Sequence, residues 1–188
     1  MTMKELTQKL EERYPLEKAE SWDNSGLQVG RKNKAVRKVF LALDATDAVI
    51  KEAAEWKADM LLTHHPLTLD GIRQVQAESL TGHKIFTLIR NDICHYAMHT
   101  NYDVVEMGEA AGEMMKLQHP EILEITGINE KNGMPEGIGR VGALVRPVTV
   151  EECAQIVKRI FGLDTVKICG DMDQVIERVA ICPGSGKS

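Results

Sequence analysis

The stretch Leu61-Leu62-Thr63-His64-His65-Pro66-Leu67 is the part of this chain of 188 residues that indicates its fold most directly. An apolar run ends at two adjacent histidines and a proline follows, as expected of a buried strand that stops at a turn. A second apolar run ends at His99-Thr100-Asn101-Tyr102-Asp103. Neutral imidazole and carboxylate are ligands that zinc, iron, nickel and manganese accept. The two clusters therefore predict a metal site.

Strands and helices alternate on both sides of this stretch. Strands are predicted at residues 36–43, 60–63 and 93–98, with helices at residues 48–57 and 80–89 between them. This alternation predicts parallel strands joined by right-handed crossovers, and such sheets bind ligands beyond the carboxyl ends of their strands. Five candidate side chains lie at those ends: Asp44, His64, His65, His99 and Asp103.

The character of the sequence changes near residue 127. Residues 127–139 contain four glycines and a proline, which is typical of a linker or a long hairpin. After them we predict a strand at residues 140–145, a helix at residues 150–161, and strands at residues 165–169 and 175–182. These elements indicate a second, smaller α/β unit.

We therefore predict an α/β fold of two linked lobes, with mostly parallel strands in the first lobe and the metal site at their carboxyl ends. The first lobe is assigned to residues 1–126 and the second to residues 127–188. Because the last predicted strand runs into a glycine turn where the chain stops, we expect the second lobe to be truncated.

Composition narrows the classes of protein. The hydrophobic fraction of 43% is sufficient for a packed core, and the net charge of -5 gives no general attraction for nucleic acid or anionic membranes. Few aromatic residues also argue against a groove for single-stranded nucleic acid. No apolar run approaches the ~20 residues that span a bilayer. We expect a soluble cytoplasmic protein with no membrane or nucleic-acid partner, and with reduced, buried cysteines at Cys94, Cys153, Cys169 and Cys182.

Each candidate ligand has an alternative role. Adjacent strand residues point to opposite faces, so His64 and His65 could bind two metals, or one metal while the other ring transfers protons. They could also be turn residues hydrogen-bonded to the backbone. Asp103 could bridge two cations or cap a helix. His99 could bind metal, donate a hydrogen bond to a metal ligand, transfer protons, or simply pack. Three further histidines are predicted to be structural or surface residues: His83, His95 and His119.

Three motifs occur together in the order and approximate spacing of one family: Trp22 to Gly30 (WDNSGLQVG), Thr63 to Leu67 (THHPL) and His99 to Asp103 (HTNYD). The chain resembles the dinuclear-metal hexameric proteins called GTP cyclohydrolase 1 type 2 homologues, or the Ngg-interacting-factor-three-like family. The segment Ile181 to Gly186 resembles a further glycine turn of that family. A P-loop is disfavoured because Ile181 stands where that motif needs glycine.

The resemblance implies two linked α/β lobes, assembly into toroidal hexamers, and metal sites facing an internal cavity. It implies that His64, His65 and Asp103 bind two divalent ions. The family's remaining ligands, a histidine and a glutamate four residues later, lie beyond the glycine turn, so we expect this chain to supply three of the five.

Our leading hypothesis is a metal-dependent, hydrolase-like protein that acts on a small molecule, with a nucleotide suggested by the family label only. The alternative is a ring-forming scaffold or regulatory binding protein whose metal site is structural or vestigial.

Overall fold

The computed structural model describes residues 1–130 and 132–184. Backbone contacts divide the chain into two compact units, Met1–Tyr102 and Asp103–Ser188. This division precedes the change in sequence character at residue 127, and the lobe boundary between residues 126 and 127 stays a prediction. The end of the GSGKS segment, Ser185 to Ser188, lies outside the described residues.

The first unit contains a four-stranded sheet in the order β1-β4-β3-β2. Strands β2, β3 and β4 are parallel, as the alternation of elements predicted, whereas β1 runs antiparallel to β4. The sheet is therefore mixed and mostly parallel. Its strands are β1 (Gly26–Val29), β2 (Val39–Ala42), β3 (Met60–Thr63) and β4 (Cys94–Ala97).

Helices cover both faces of this sheet because alternate strand residues point to opposite sides. Leu61 packs on one side with Ile50 and Leu88, while Met60 packs on the other side with Met3. Thr46 caps the helix that follows β2, since its side chain accepts a hydrogen bond from the amide of Val49. The helices are α1 (Met3–Arg13), a 3-10 turn (Leu16–Lys18), α2 (Asp47–Glu55), α3 (Leu80–Arg90) and α4 (Thr100–Tyr102).

The second unit contains a three-stranded antiparallel sheet in the order β5-β6-β7. The glycine-rich segment forms the long hairpin that was one of its two predicted structures, and it joins β5 to β6. The unit consists of a π-helical segment (Asp103–Met107), α5 (Gly108–Met114), β5 (Gln118–Ile128), β6 (Pro135–Thr149), α6 (Val150–Phe161) and β7 (Val175–Ile181).

Two details of the second unit differ from prediction. Residues 165–169 do not form a strand, although the burial of their side chains alternates. Alternation indicates which face of an extended segment is buried, but a strand also needs a neighbouring strand to pair with. Strand β5 was not predicted, because its side chains are almost all exposed and its sequence lacks the apolar alternation of a half-buried strand.

All four cysteines are free, and Cys94 is buried as expected, whereas Cys169 is exposed. Within residues 1–130 and 132–184, no helix is both long and apolar enough to cross a membrane.

Candidate metal centre

Three histidines converge at the carboxyl ends of β3 and β4. His64 and His65 directly follow β3, and His99 follows β4 by two residues. Candidate ligand atoms of the three rings all lie within 4.8 Å of one another. The chain bends at both residues of the histidine pair, so their ring centroids lie only 4.9 Å apart. The opposite orientation of neighbouring residues in an extended strand therefore does not separate them.

Each ring is held by a hydrogen bond from its Nδ1 atom. Carbonyl and carboxylate oxygens only accept hydrogen bonds, so Nδ1 of each ring is the donor. Nε2 is therefore the nitrogen that a metal ion would take. This pattern of an outer acceptor behind each imidazole is typical of metal-binding histidines. The partners are the carbonyl of Met98 for His64 (3.0 Å), Asp44 Oδ1 for His65 (2.7 Å) and Asp23 Oδ1 for His99 (2.9 Å).

The Asp23 carboxylate behind His99 is completely buried. Burial alone would raise its pKa, but hydrogen bonds from Thr100, His99, Ser25 and the amide of Asn24 outweigh this and lower the pKa to about 2. The Thr100 hydroxyl lies 2.5 Å from Oδ2 and the Ser25 hydroxyl lies 2.7 Å from it. Asp23 is thus a fixed anion at neutral pH, and it orients the ring of His99.

Asn101 connects the same loop to the rest of the first unit. Its Oδ1 accepts a hydrogen bond from the His99 amide (3.0 Å) and lies 3.1 Å from the Ser25 hydroxyl oxygen. Its Nδ2 donates to the carbonyl of Tyr14 at 2.9 Å, and the side chain is fully buried. The segments around Asp23 and His99 are therefore one hydrogen-bonded structure, although they lie 76 residues apart in sequence.

Sequence reasoning identified the Asp23 segment as a family motif but did not assign Asp23 a role. A carboxylate 76 residues from its histidine leaves no local pattern. The sequence does contain one indication of this role. The polar run Asp23-Asn24-Ser25 stands immediately before an apolar strand, and candidate histidine ligands need hydrogen-bond acceptors of this kind.

The electrostatic environment keeps His64 neutral. Burial is the largest cause that lowers the pKa of His64, and the neighbouring His99 and His65 lower it further. The carbonyl of Met98 and the charge of Asp23 act in the opposite direction without reversing the shift. A neutral imidazole is the form that binds a metal, so no proton has to be displaced from His64 at neutral pH.

A buried histidine supports the backbone of the pair from the side of the core. The Thr63 hydroxyl donates to the carbonyl of His65 at 2.6 Å, and its oxygen lies 2.8 Å from Nε2 of His95. Because the hydroxyl proton is used toward His65, Nε2 of His95 is the donor in the second bond. His95 is thus structural, and His83 and His119 are exposed.

The structure groups the predicted ligands His64 and His65 with His99. Asp103 is the first residue of the second unit. Asp103 lies inside a continuous run of helical residues from Thr100 to Met114, which makes its alternative role as a helix N-cap wrong. Its role as a metal ligand stays a prediction. His99 is 15% exposed in its side chain and belongs to the cluster.

The fold and the site define a class of protein: an α/β protein with a candidate metal centre of histidines at the carboxyl ends of parallel strands. The model of the Duf34/NIF3 (NGG1p interacting factor 3) family matches residues 1–188. The chain belongs to this family.

Relatives agree with this family assignment, and solved structures share the fold. The chain is 37% identical to the GTP cyclohydrolase 1 type 2 homolog of Clostridium perfringens, over all of this chain and 71% of that protein. It is 34% identical to the homolog of Clostridium acetobutylicum, over all of this chain and 69% of that protein.

Among structures, a Bacillus cereus protein related to NIF3 superposes with a TM-score of 0.91 at 22% identity, over 99% of this chain and 77% of the other. A hypothetical protein of Staphylococcus aureus gives 0.87 at 28% identity, over 99% and 73% of the two chains.

Proposed function

We propose that this chain binds a divalent metal at His64, His65 and His99 and acts as a metal-dependent, hydrolase-like protein. One observation carries the proposal: the candidate ligand atoms of three imidazoles lie within 4.8 Å of one another. Each ring is also fixed at Nδ1, which directs the other nitrogen toward an ion. Three histidine ligands with an open position suit a catalytic zinc-type ion.

The donor set fits a borderline metal such as zinc, iron, nickel or manganese. Such an ion, when bound, supplies Lewis acidity and lowers the pKa of water. The residues of the chain supply the rest. Asp23 and Asp44 orient His99 and His65, and the carbonyl of Met98 orients His64. We further propose, on the family resemblance alone, that Asp103 is a ligand and that the complete site holds two ions.

A small nucleotide is the substrate class that we propose. The relatives carry the name GTP cyclohydrolase 1 type 2 homolog, and hydrolytic opening of a purine ring suits a metal centre. An aromatic surface lies beside the site as well. The indole of Trp22 is 57% exposed and lies edge-on to His99, with ring centroids 6.0 Å apart. We propose that this exposed ring stacks against a base. Assembly into a hexamer is proposed on the resemblance alone.

Elemental analysis of protein purified without chelators tests the metal site. We expect at least one divalent ion per chain, and its loss in His64→Ala. His83→Ala is the matched control, because His83 is an exposed histidine outside the cluster. Fewer than one ion per two chains, unchanged by His64→Ala, would contradict metal binding.

Turnover assays test the hydrolase activity. GTP and simple phosphoesters are supplied with and without zinc or manganese, and we expect metal-dependent turnover that Asp103→Ala abolishes. Trp22→Leu should raise KM for GTP while the metal content stays unchanged. Full metal occupancy without turnover of any of these substrates would instead favour the scaffold or regulatory protein with a structural metal.

A further inference from the structure

Strand β1 contains one residue more than β4 can pair with. Leu27 lies opposite Tyr96, and Val29 lies opposite the next residue of β4, His95. Gln28 is therefore the extra residue of a β-bulge. In a regular strand Leu27 and Val29 would share a face, yet they pack in different core clusters on opposite faces of the sheet. A bulge of this kind redirects a side chain, and here that side chain is Gln28.

The redirected amide of Gln28 binds the segment that follows the histidine pair. Its Oε1 accepts a hydrogen bond from the backbone amide of Leu67 at 2.6 Å. Its Nε2 donates to the carbonyl of Asn24 at 2.7 Å and lies 3.4 Å from the carbonyl oxygen of Thr68. The side chain of Asn24 in turn donates to that Thr68 carbonyl at 2.8 Å. The two side-chain amides thus replace the pairing that a neighbouring strand would give to residues 67 and 68.

The histidine pair is consequently held from both directions along the chain. Its own amides, those of His64 and His65, donate to carbonyls at the end of β2 and just beyond it, at 3.3 and 3.0 Å. The next residue, Pro66, has no N–H group. The amide of Leu67 is therefore the first backbone donor after the pair, and its acceptor is the side chain of Gln28.

The same short segment also holds the third histidine. Asp23 Oδ1 accepts a hydrogen bond from the ring of His99 at 2.9 Å and another from the backbone amide of Asn24 at 2.6 Å. Residues 23–28 therefore contact both loops that carry candidate ligands. Asp23 holds the loop of His99, whereas Asn24 and Gln28 hold the loop of the histidine pair. The separation of the two loops depends on this one segment.

We propose that Gln28 is a positioning residue of the metal centre: through the amide of Leu67 it fixes the backbone of the histidine pair relative to His99, with Asn24 as its partner. The inference rests on the proposed metal binding at the three histidines. Metal–ligand distances tolerate only about 0.2 Å of variation. A loop that is free to move must be ordered when the ion binds, which weakens binding even though every ligand is present.

Zinc affinity of the full chain, measured by chelator competition, tests the proposal. Gln28→Leu removes both hydrogen bonds of the amide at similar size, and we expect roughly tenfold weaker binding. Asn24→Ala, which leaves the sequence of β1 intact, should weaken binding to a similar extent. The double variant should lose less than the product of the two effects, because both side chains hold the same segment. Thr2→Ala is the control, since it removes a side-chain hydrogen bond that caps α1. It should lower the urea midpoint of the first unit and leave zinc affinity unchanged.

Amide hydrogen exchange of the metal-free protein provides a readout that needs no ion. The Leu67 amide should be protected in wild type and exchange faster in Gln28→Leu, while the amides of β3 keep their protection. Unchanged exchange at Leu67 would overturn the proposal, as would equal zinc affinity of wild type and Gln28→Leu. An equal loss of affinity in Thr2→Ala would also overturn it, because the effect would then follow stability alone. A wild type that binds no zinc would instead contradict the proposed function, and the positioning role with it.

Discussion

Acid should destabilise the first unit through one residue, His95. Its side chain is fully buried in β4, and its Nε2 donates to the Thr63 hydroxyl. No described residue lies within hydrogen-bonding distance of its Nδ1. Burial is the main cause that lowers the pKa of His95, from 6.5 to about 4, and the charge of Lys84 adds to it. The native protein therefore keeps this imidazole neutral where the unfolded chain would protonate it.

The size of the effect follows from linkage between protonation and folding. The unfolded chain binds a proton near pH 6.5 and the native chain only near pH 4, so the unfolded state gains free energy as the pH falls between these values. The contribution of the neutral His95 to the free energy of unfolding is full above pH 6.5 and is lost progressively as the pH falls to 4. At 1.36 kcal/mol per pH unit, the total loss is about 3 kcal/mol.

Urea unfolding at several pH values between 7 and 4 measures this loss. Both tryptophans, Trp22 and Trp56, lie in the first unit, so their fluorescence follows the unit that contains His95. His95→Gln is the comparison, because its amide can still donate to Thr63 and does not titrate. Wild type should lose about 3 kcal/mol more than this variant. Carboxylates and other histidines, including His64, affect both proteins equally. Parallel pH profiles of the two would refute the reasoning.

Three further predictions concern the site and the helix caps. Asp23→Asn should weaken zinc binding by roughly 10- to 100-fold in chelator competition, since the anion behind His99 is lost while the shape is retained; unchanged affinity would exclude a positioning role. Asn101→Ala should cost about 1–3 kcal/mol in urea unfolding, because it removes the acceptor at 3.0 Å from the His99 amide and leaves only the Ser25 hydroxyl at 3.4 Å; a neutral effect would mean that water replaces the lost acceptor. Thr149→Ala should cost about 1 kcal/mol by removing the hydroxyl that caps α6 at Glu152, whereas Thr149→Ser should retain most of that stability.

Local patterns predicted much of the first unit and one helix of the second. The apolar run before His64 indicated β3, and the structure has it at Met60–Thr63 as predicted. Helix α6 likewise begins after Thr149 and ends at Phe161, because a capping hydroxyl and an apolar periodicity both lie within the segment itself. Antiparallel β1 was not predicted, since its partner β4 lies about 70 residues away and its direction leaves no local pattern.

The sequence by itself determined strands β2 to β4 and their parallel direction, the helices between them, and the position of His64, His65 and His99 at strand ends. These properties depend on short-range periodicity and on how a chain of alternating strands and helices must cross over. Only the tertiary structure decided which side chains meet. It joined Asp23 to His99 and Asp44 to His65, and it bent the chain so that two adjacent histidines face one point. Such contacts depend on the packing of segments distant in sequence, which no local pattern records.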